Sequence, residues 1–220
     1  MARYFHVFHF ADAGVTSPMR GTPKVDDNAG LRGDGSNLAA ILYLLQEQYP
    51  AELRQIRRAV QQVAPFFEDF LLRPPALKPD EIRLEWRHRG SEEYFDAADL
   101  SDGTIRFVAL ATLLYLPSQL RPLVFLVDEP ELGLHPAAIT LLGALLRKAA
   151  VETQVIVSTQ SPQLLDEFEP EDVLVMDRLE GATQARRLAT APLEVWLEDY
   201  SLGQLWEKNQ FCGRPVSASR

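Results

Sequence analysis

The chain has 220 residues, enough for one large domain or for one domain with an inserted subdomain. Its formal net charge of −9 argues against a surface that coats DNA along its whole length. A single cysteine, Cys212, rules out an intrachain disulfide and a cysteine-ligated metal site, and no apolar run approaches the roughly 18 residues of a membrane span. A cytoplasmic protein without a signal peptide and without membrane contact is therefore expected.

The first sixty residues predict a strand, a loop and two helices. Residues 3–10 are apolar and aromatic, as in a strand, and the glycines and prolines of 11–35 leave little room for regular structure. A helix is predicted over 38–46, with Ser36 or Asn37 as its cap. A second helix is predicted over 51–63 from apolar residues at helical spacing.

A proline-rich connector then leads to a hairpin. Pro74, Pro75 and Pro79 favour an extended segment, and residues 81–87 alternate between apolar and polar as a strand with one wet face does. Residues 93–95 are predicted to pair with that strand.

From residue 104 onward, helices alternate with wholly apolar strands, which is the pattern of a parallel sheet wrapped by helices. The predicted elements are helix 104–116, strand 123–127, helix 136–150, strand 154–158, helix 162–167 and strand 172–176. The predicted fold class is α/β, with a mostly parallel sheet and an inserted helical and antiparallel arm. The predicted division is 1–99, 100–180 and 181–220, the last part ending in a polar tail, 216–220, that is expected to be disordered.

The strand at 123–127 leads directly into two carboxylates, Asp128 and Glu129. The carboxyl ends of strands are where open α/β sheets place their ligands. Asp128 could hold Mg²⁺ through water and Glu129 could polarise a water for attack on a phosphate, which is the Walker B arrangement. A core strand that ends in a solvated acidic turn is the alternative.

Two further segments have the same double interpretation. Ser101, Asp102 and Gly103 open an apolar helix, where free N–H groups and the helix dipole favour an anion, although an ordinary helix cap has the same composition. Gln160 follows the strand 154–158, at a position that could reach a phosphate or an attacking water, or that could be a simple strand-to-helix turn.

Order and spacing favour the functional interpretation, because Ser101 lies 27 residues before Asp128 and Gln160 lies 32 residues after it. With these motifs the sequence resembles the ABC-type ATPases, and more closely the predicted cytosolic ATPases akin to RecF, SMC proteins and the OLD nucleases. Leu100–Arg106 resembles their signature motif, Val124–Pro130 their Walker B strand and Glu131–Pro136 their D-loop. Ser158–Pro162 resembles the switch strand, with glutamine where histidine is commoner. The resemblance is strong over about 100–180 and weaker before it.

The resemblance implies a P-loop NTPase fold of ABC type and a role for each matching residue. Asp128 would organise Mg²⁺, Glu129 would act as general base, and Gln160 would sense or position the γ-phosphate. Ser101 and Gly103 would contact the γ-phosphate of an ATP that is held by a partner, in a head-to-tail homodimer or in a complex with a P-loop-bearing ATPase. Asp102 stands where transporters carry glycine, and an anion is unhelpful beside phosphate unless it points away.

A P-loop is missing from the sequence. None of the four lysines, Lys24, Lys78, Lys148 and Lys208, follows a glycine or precedes a serine or threonine, as Gly-x-x-x-x-Gly-Lys-Ser/Thr requires. The chain is therefore interpreted as the C-terminal portion of an ATPase of the DNA-maintenance or phage-defence kind, and residues 1–220 alone are expected to bind ATP weakly, to hydrolyse it poorly and to leave a sheet edge exposed.

Other functions remain open. A degenerate, non-catalytic module could dock on an intact ATPase partner, and a transporter subunit fits the signature less well. Two basic clusters could contact nucleic acid, although solvated faces are the simpler interpretation; these clusters are Arg54, Arg57 and Arg58, and Arg83, Arg87 and Arg89. The segment 196–208, with Trp196 and Trp206, is expected to pack on the core or to serve as a partner site.

Overall fold

The computed structural model describes residues 5–179 and 182–211. Two compact units part between Ser158 and Thr159. The predicted division of the chain into 1–99, 100–180 and 181–220 stays a prediction. Cys212 and the predicted tail 216–220 lie outside the described residues.

The first unit contains both strands and helices, in the following order. Its elements are β1 (Phe5–Phe8), α1 (Leu38–Gln48), α2 (Pro50–Val63), β2 (Phe67–Leu71), β3 (Glu85–His88), β4 (Tyr94–Asp96), α3 (Asp102–Tyr115), β5 (Val124–Asp128), α4 (Pro136–Ala150) and β6 (Gln154–Ser158). Short 3-10 helices span Pro18–Arg20 and Ala97–Asp99.

A parallel sheet with the order β1-β5-β6 carries the predicted site. Residues that alternate along each strand face opposite sides of the sheet. One side is packed: Phe8, Phe125 and Val127 are at most 1 % exposed. Helices α1, α3 and α4 supply many of the other buried side chains of this unit, among them Leu42, Phe107 and Leu142. The predicted α/β class with a parallel sheet and flanking helices is confirmed.

A small antiparallel sheet, β2-β3-β4, forms the arm. The predicted hairpin of β3 and β4 is confirmed, but regular pairing of the first strand begins at Glu85 rather than at residue 81. The apolar residues of 81–84 are still buried, with Ile82 at 0 % and Leu84 at 2 % exposure, because this stretch lies against the loop around Pro23 and Lys24. Strand β2 was not predicted, since two carboxylates and a bulge interrupt its alternation.

The second unit contains α5 (Pro162–Leu165), β7 (Leu174–Leu179), β8 (Ala182–Arg187), α6 (Glu194–Leu197) and α7 (Leu202–Glu207), with a 3-10 helix at Pro170–Asp172. The prediction that 172–176 would extend the parallel sheet is wrong: β7 pairs antiparallel with β8. The second strand of this hairpin is exposed throughout and offers no hydrophobic pattern to detect.

The C-terminal segment packs through the short helices α6 and α7. A core of Val175, Leu188, Leu193, Leu202, Leu205 and Phe211 is joined by the partly buried Trp206. Trp196 is instead 46 % exposed. Within residues 5–179 and 182–211, no helix has both the length and the apolar character needed to cross a bilayer.

Candidate functional site

Three parallel strands bring polar side chains together at their carboxyl ends. Asp128 ends β5, and its register partner Ser158 ends β6 and donates its hydroxyl hydrogen to Asp128 Oδ1. His9, one residue beyond β1, places Nδ1 3.4 Å from Asp128 Oδ2. Both side chains of this second pair are substantially solvent-accessible, so the carboxylate is reachable from outside. The apolar pattern of residues 3–10 predicted that His9 lies inside a strand and did not identify it as a site residue. The only sequence feature that could have pointed to His9 is its position near the end of that strand.

Glu129 adopts an unusual backbone conformation next to this cluster. Its φ of 40° lies in the left-handed region, which is uncommon for a residue other than glycine and costs free energy. Its N–H donates to the Ser158 carbonyl at 2.9 Å, so the β5–β6 pairing extends one residue beyond the strand. This hydrogen bond holds the backbone of Glu129 in place at the point where the chain turns away from the sheet.

The oxygen donors at the strand ends fit a magnesium ion. Mg²⁺ prefers hard oxygen ligands and commonly takes one or two from the protein, with the remainder from water and phosphate. The Asp128 carboxylate and the Ser158 hydroxyl are such donors. In the ranges that the structure describes, no three His, Cys, Asp or Glu side chains gather as a metal cluster.

The predicted signature segment begins helix α3 with a side-chain cap. Ser101 Oγ accepts a hydrogen bond from the Thr104 N–H at 3.2 Å and lies 2.8 Å from Thr104 Oγ1. The helix therefore starts at Asp102, two residues before the predicted boundary. This is the ordinary capping role that the sequence left open as an alternative. Contact of Ser101 with a phosphate stays a prediction.

A close glycine contact joins the start of α3 to the loop that follows β5. A Cβ atom added to Gly103 would lie 2.5 Å from the Gly133 carbonyl oxygen. A Cβ atom added to Gly133, whose φ is +73°, would lie 2.7 Å from Arg106 Nη1. Internal packing thus requires glycine at both positions, whatever ligand approaches Gly103.

The buried guanidinium of Arg106 ties three segments together. Its Nε donates to the Phe10 carbonyl at 2.8 Å, Nη2 donates to the Ala11 carbonyl at 2.6 Å, and Nη1 donates to the Leu132 carbonyl. Burial lowers the pKa of Arg106, and the nearby Asp102 carboxylate opposes that effect. The side chain holds α3, the segment after β1 and the loop after β5 in one arrangement.

Asp102, the aspartate of the predicted signature segment, forms an ion pair with Arg20. Arg20 Nη2 lies 3.0 Å from Asp102 Oδ1 and also donates to the Leu100 and Ala13 carbonyls. Nη1 donates to the Ala97 carbonyl, and Nε donates to the Ala13 and Gly14 carbonyls. The arginine side chain is 5 % exposed and the aspartate 65 %. Asp102 therefore pairs with a cation of the same chain. No local pattern in the loop 11–35 marked Arg20 for this role.

Gln160 lies two residues beyond β6, in the second unit. The turn around it is ordered by Ser161, whose N–H donates to Thr159 Oγ1 at 3.0 Å and whose own Oγ caps α5 by accepting from the Leu164 N–H at 3.2 Å. Contact of Gln160 with a phosphate or with an attacking water stays a prediction.

The fold defines a class: an α/β domain with a fold like that of the heads of SMC ATPases. A structure described under "ATP-driven dimerization and DNA stimulated activation of SMC ATPases" matches 72 % of this chain and 96 % of its own, with 16 % identity and a TM-score of 0.53. An Smc head bound to the C-winged helix domain of ScpA matches 83 % of this chain and 55 % of its own, with 17 % identity and a TM-score of 0.60. The head from Pyrococcus furiosus matches 72 % and 39 %, with 16 % identity and a TM-score of 0.54. At these identities the likeness concerns the fold.

Residues 8–166 match the family described as "AAA domain, putative AbiEii toxin, Type IV TA system", and the chain belongs to that family. The match includes β5, the start of α3 and the end of β6. No curated protein sequence matches the chain.

Proposed function

We propose that the chain supplies the hydrolytic half of an ATPase of the soluble ABC type. The observation that carries this proposal is Asp128 at the carboxyl end of β5, within hydrogen-bonding reach of Ser158 and directly followed by Glu129. The AAA family and the SMC-like fold support a nucleotide as the ligand.

Asp128 and Ser158 would hold Mg²⁺ together with oxygens of the nucleotide. When bound, the ion neutralises charge that develops on the transferred phosphoryl group. Glu129 would accept a proton from the attacking water as general base. Its strained backbone suits this proposal, because residues in sparsely populated conformations concentrate at functional sites.

The proposal also gives roles to Gln160, Ser101 and Gly103. Gln160 would position the attacking water or the γ-phosphate. Ser101 and Gly103 would face an ATP that is held by a partner, either in a homodimer or in a complex with a P-loop-bearing ATPase. ATP-driven dimerization is described for SMC ATPases of similar fold, which motivates a nucleotide-dependent pair here. DNA maintenance and phage defence are the processes that we propose for it.

The turnover of residues 1–220 alone tests this proposal. The sequence offers no Gly-Lys-Ser/Thr cradle for the phosphates, so we expect hydrolysis far below the ~1–100 s⁻¹ that is usual for phosphoryl-transfer enzymes. Glu129→Gln is the informative variant, and Glu92→Gln, at an exposed hairpin position, is its matched control. Turnover in the usual range that disappears only in Glu129→Gln would show that the chain contains its own cradle.

A non-catalytic docking module is the second candidate, and the missing P-loop motif favours it. In a complex with a P-loop-bearing ATPase, the two candidates differ in which substitution matters. A module that acts only through Ser101 and Gly103 would lose its effect on the partner's turnover in Ser101→Arg but keep it in Glu129→Gln. A chain that supplies the hydrolytic residues would lose its effect on the partner's turnover in both variants.

A further inference from the structure

Arg20 is a buried cation next to the start of helix α3, and the turn that carries it is well packed. It ends the 3-10 helix Pro18–Arg20, which Ser17 caps by accepting a hydrogen bond from the Met19 N–H at 3.2 Å. Met19 is 1 % exposed, and a Cβ atom added to Gly35 would lie 2.6 Å from its Cγ. The backbone of Arg20 is therefore held by packing and by hydrogen bonds.

The Arg20 guanidinium serves two kinds of acceptor at the predicted signature segment. Nη1 donates to the Ala97 carbonyl and Nη2 to the Leu100 carbonyl, both of which precede the helix. Nη2 also lies 3.0 Å from Asp102 Oδ1. The carbonyl bonds hold the backbone whatever side chain stands at position 102, whereas the ion pair acts on the Asp102 side chain alone. Substitution at position 102 can therefore separate the two contributions.

Asp102 interacts with a second buried guanidinium, that of Arg106. Burial lowers the pKa of Arg106, and the charge of the Asp102 carboxylate opposes that effect. The side chain of Arg20 is 5 % exposed and that of Asp102 65 %, while Arg106 is 6 % exposed. Two cations and one anion leave a net positive charge at the start of α3, although the whole chain has a net charge of −9. The local charge thus favours an anion despite the aspartate.

The direction of the Asp102 carboxylate decides whether a phosphate can use the first turn of α3. Helix N-termini attract anions through N–H groups without an intrahelical acceptor and through the helix dipole. The Thr104 N–H donates to Ser101 Oγ, and the Ile105 N–H donates to the Ser101 carbonyl. Within the described residues, the first turn leaves the amides of Asp102 and Gly103 for a ligand. A carboxylate that turned toward these amides would repel a phosphate.

We propose that Arg20 is a positioning residue of the signature segment, which holds the Asp102 carboxylate away from a phosphate at Gly103. This inference rests on the proposed function, in which Ser101 and Gly103 face the γ-phosphate of an ATP held by a partner. Arg20 acts through Asp102 and not by touching the nucleotide. It accounts for an aspartate in a phosphate-facing segment, because the loop 11–35 supplies the counter-cation of that aspartate.

A double-mutant cycle on positions 20 and 102 tests the inference. Residues 1–220 are titrated with inorganic phosphate at a constant ionic strength of about 0.15 M, which screens distant charges. The amide chemical shifts of Gly103 and Thr104 report binding. With Arg20 present, Asp102→Asn should change the phosphate affinity by less than about twofold, because the carboxylate already points away. In the Arg20→Gln background the same substitution should raise the affinity by at least about fivefold, because the carboxylate is then free to turn toward the ligand.

A merely structural role for Arg20 predicts a different pattern. If Arg20 only holds the Ala97 and Leu100 carbonyls, Arg20→Gln lowers the phosphate affinity by the same factor with and without Asp102→Asn, so the two effects add. Equal effects of Asp102→Asn in the two backgrounds overturn the inference. A wild-type chain whose Gly103 amide does not respond to phosphate also overturns it.

A single substitution keeps the test decisive if Arg20→Gln fails to fold, which circular dichroism shows. Asp102→Asn changes an exposed side chain, and a gain in phosphate affinity above about twofold in the otherwise wild-type chain overturns the inference, whereas a smaller change supports it. Asp99→Asn is the matched control, because Asp99 is exposed and its Oδ2 accepts from the Asp96 N–H at 3.0 Å, away from Arg20. It should leave phosphate binding unchanged.

Phosphate binding and hydrolysis fail separately. Coupling between positions 20 and 102, together with turnover that survives Glu129→Gln in a complex with a P-loop-bearing ATPase, would support the role of Arg20 and show that the proposed hydrolytic role is wrong. Loss of that turnover in Glu129→Gln without coupling between the two positions would support the proposed function and overturn the inference.

Discussion

Replacing Gly133 by alanine is the sharpest test of the packing between helix α3 and the loop after β5. The alanine must adopt φ of +73° and place its Cβ 2.7 Å from Arg106 Nη1. The left-handed backbone costs about 1–2 kcal/mol for an L-residue, and displacement of a packed neighbour costs about 1–3 kcal/mol. The free energy of unfolding should therefore fall by roughly 2–5 kcal/mol. Urea unfolding followed by circular dichroism measures this loss.

Gly90→Ala separates the two contributions. Gly90 has a φ of +79°, but a Cβ there meets nothing within 4 Å. It should cost only the backbone term of about 1–2 kcal/mol. If Gly133→Ala costs no more than Gly90→Ala, Arg106 moves aside freely, and its role as a fixed tie between segments is refuted.

Three further substitutions test the local arrangement. Arg106→Lys should cost about 2–3 kcal/mol in chemical unfolding, because one ammonium cannot satisfy the Phe10 and Leu132 carbonyls as the guanidinium does. Ser101→Ala should lower stability by about 1 kcal/mol while Ser101→Gly changes it by a few tenths, and equal losses would argue against the cap. Glu129→Gly should raise stability by about 1 kcal/mol because it relieves the positive φ, a gain that Glu129→Gln should not reproduce in the same unfolding assay.

Local signals predicted the elements around the candidate site well. Helix α4 spans 136–150 as predicted, because Pro136 opens it and the His135 side chain caps it. Strand β6 spans 154–158 as predicted, and β5 is displaced by one residue. Since these strands are parallel neighbours, the meeting of Asp128 with Ser158 follows from their ends alone.

Tertiary contacts explain what the sequence could not predict. Arg20 reaches Asp102 and Arg106 reaches Phe10 across more than eighty residues, and no periodicity encodes such pairs. His9 meets Asp128 only because β1 pairs with β5. The hairpin of β7 and β8 was also hidden, because an exposed polar strand carries no hydrophobic pattern.

ATP turnover upon addition of a P-loop-bearing polypeptide tests the central claim most directly, namely that Asp128 and Glu129 hydrolyse a nucleotide whose phosphates are held outside residues 1–220. The account predicts negligible turnover by the chain alone, turnover in the assembly, and its loss in Glu129→Gln but not in Glu92→Gln. Turnover of the assembly that survives Glu129→Gln would contradict it.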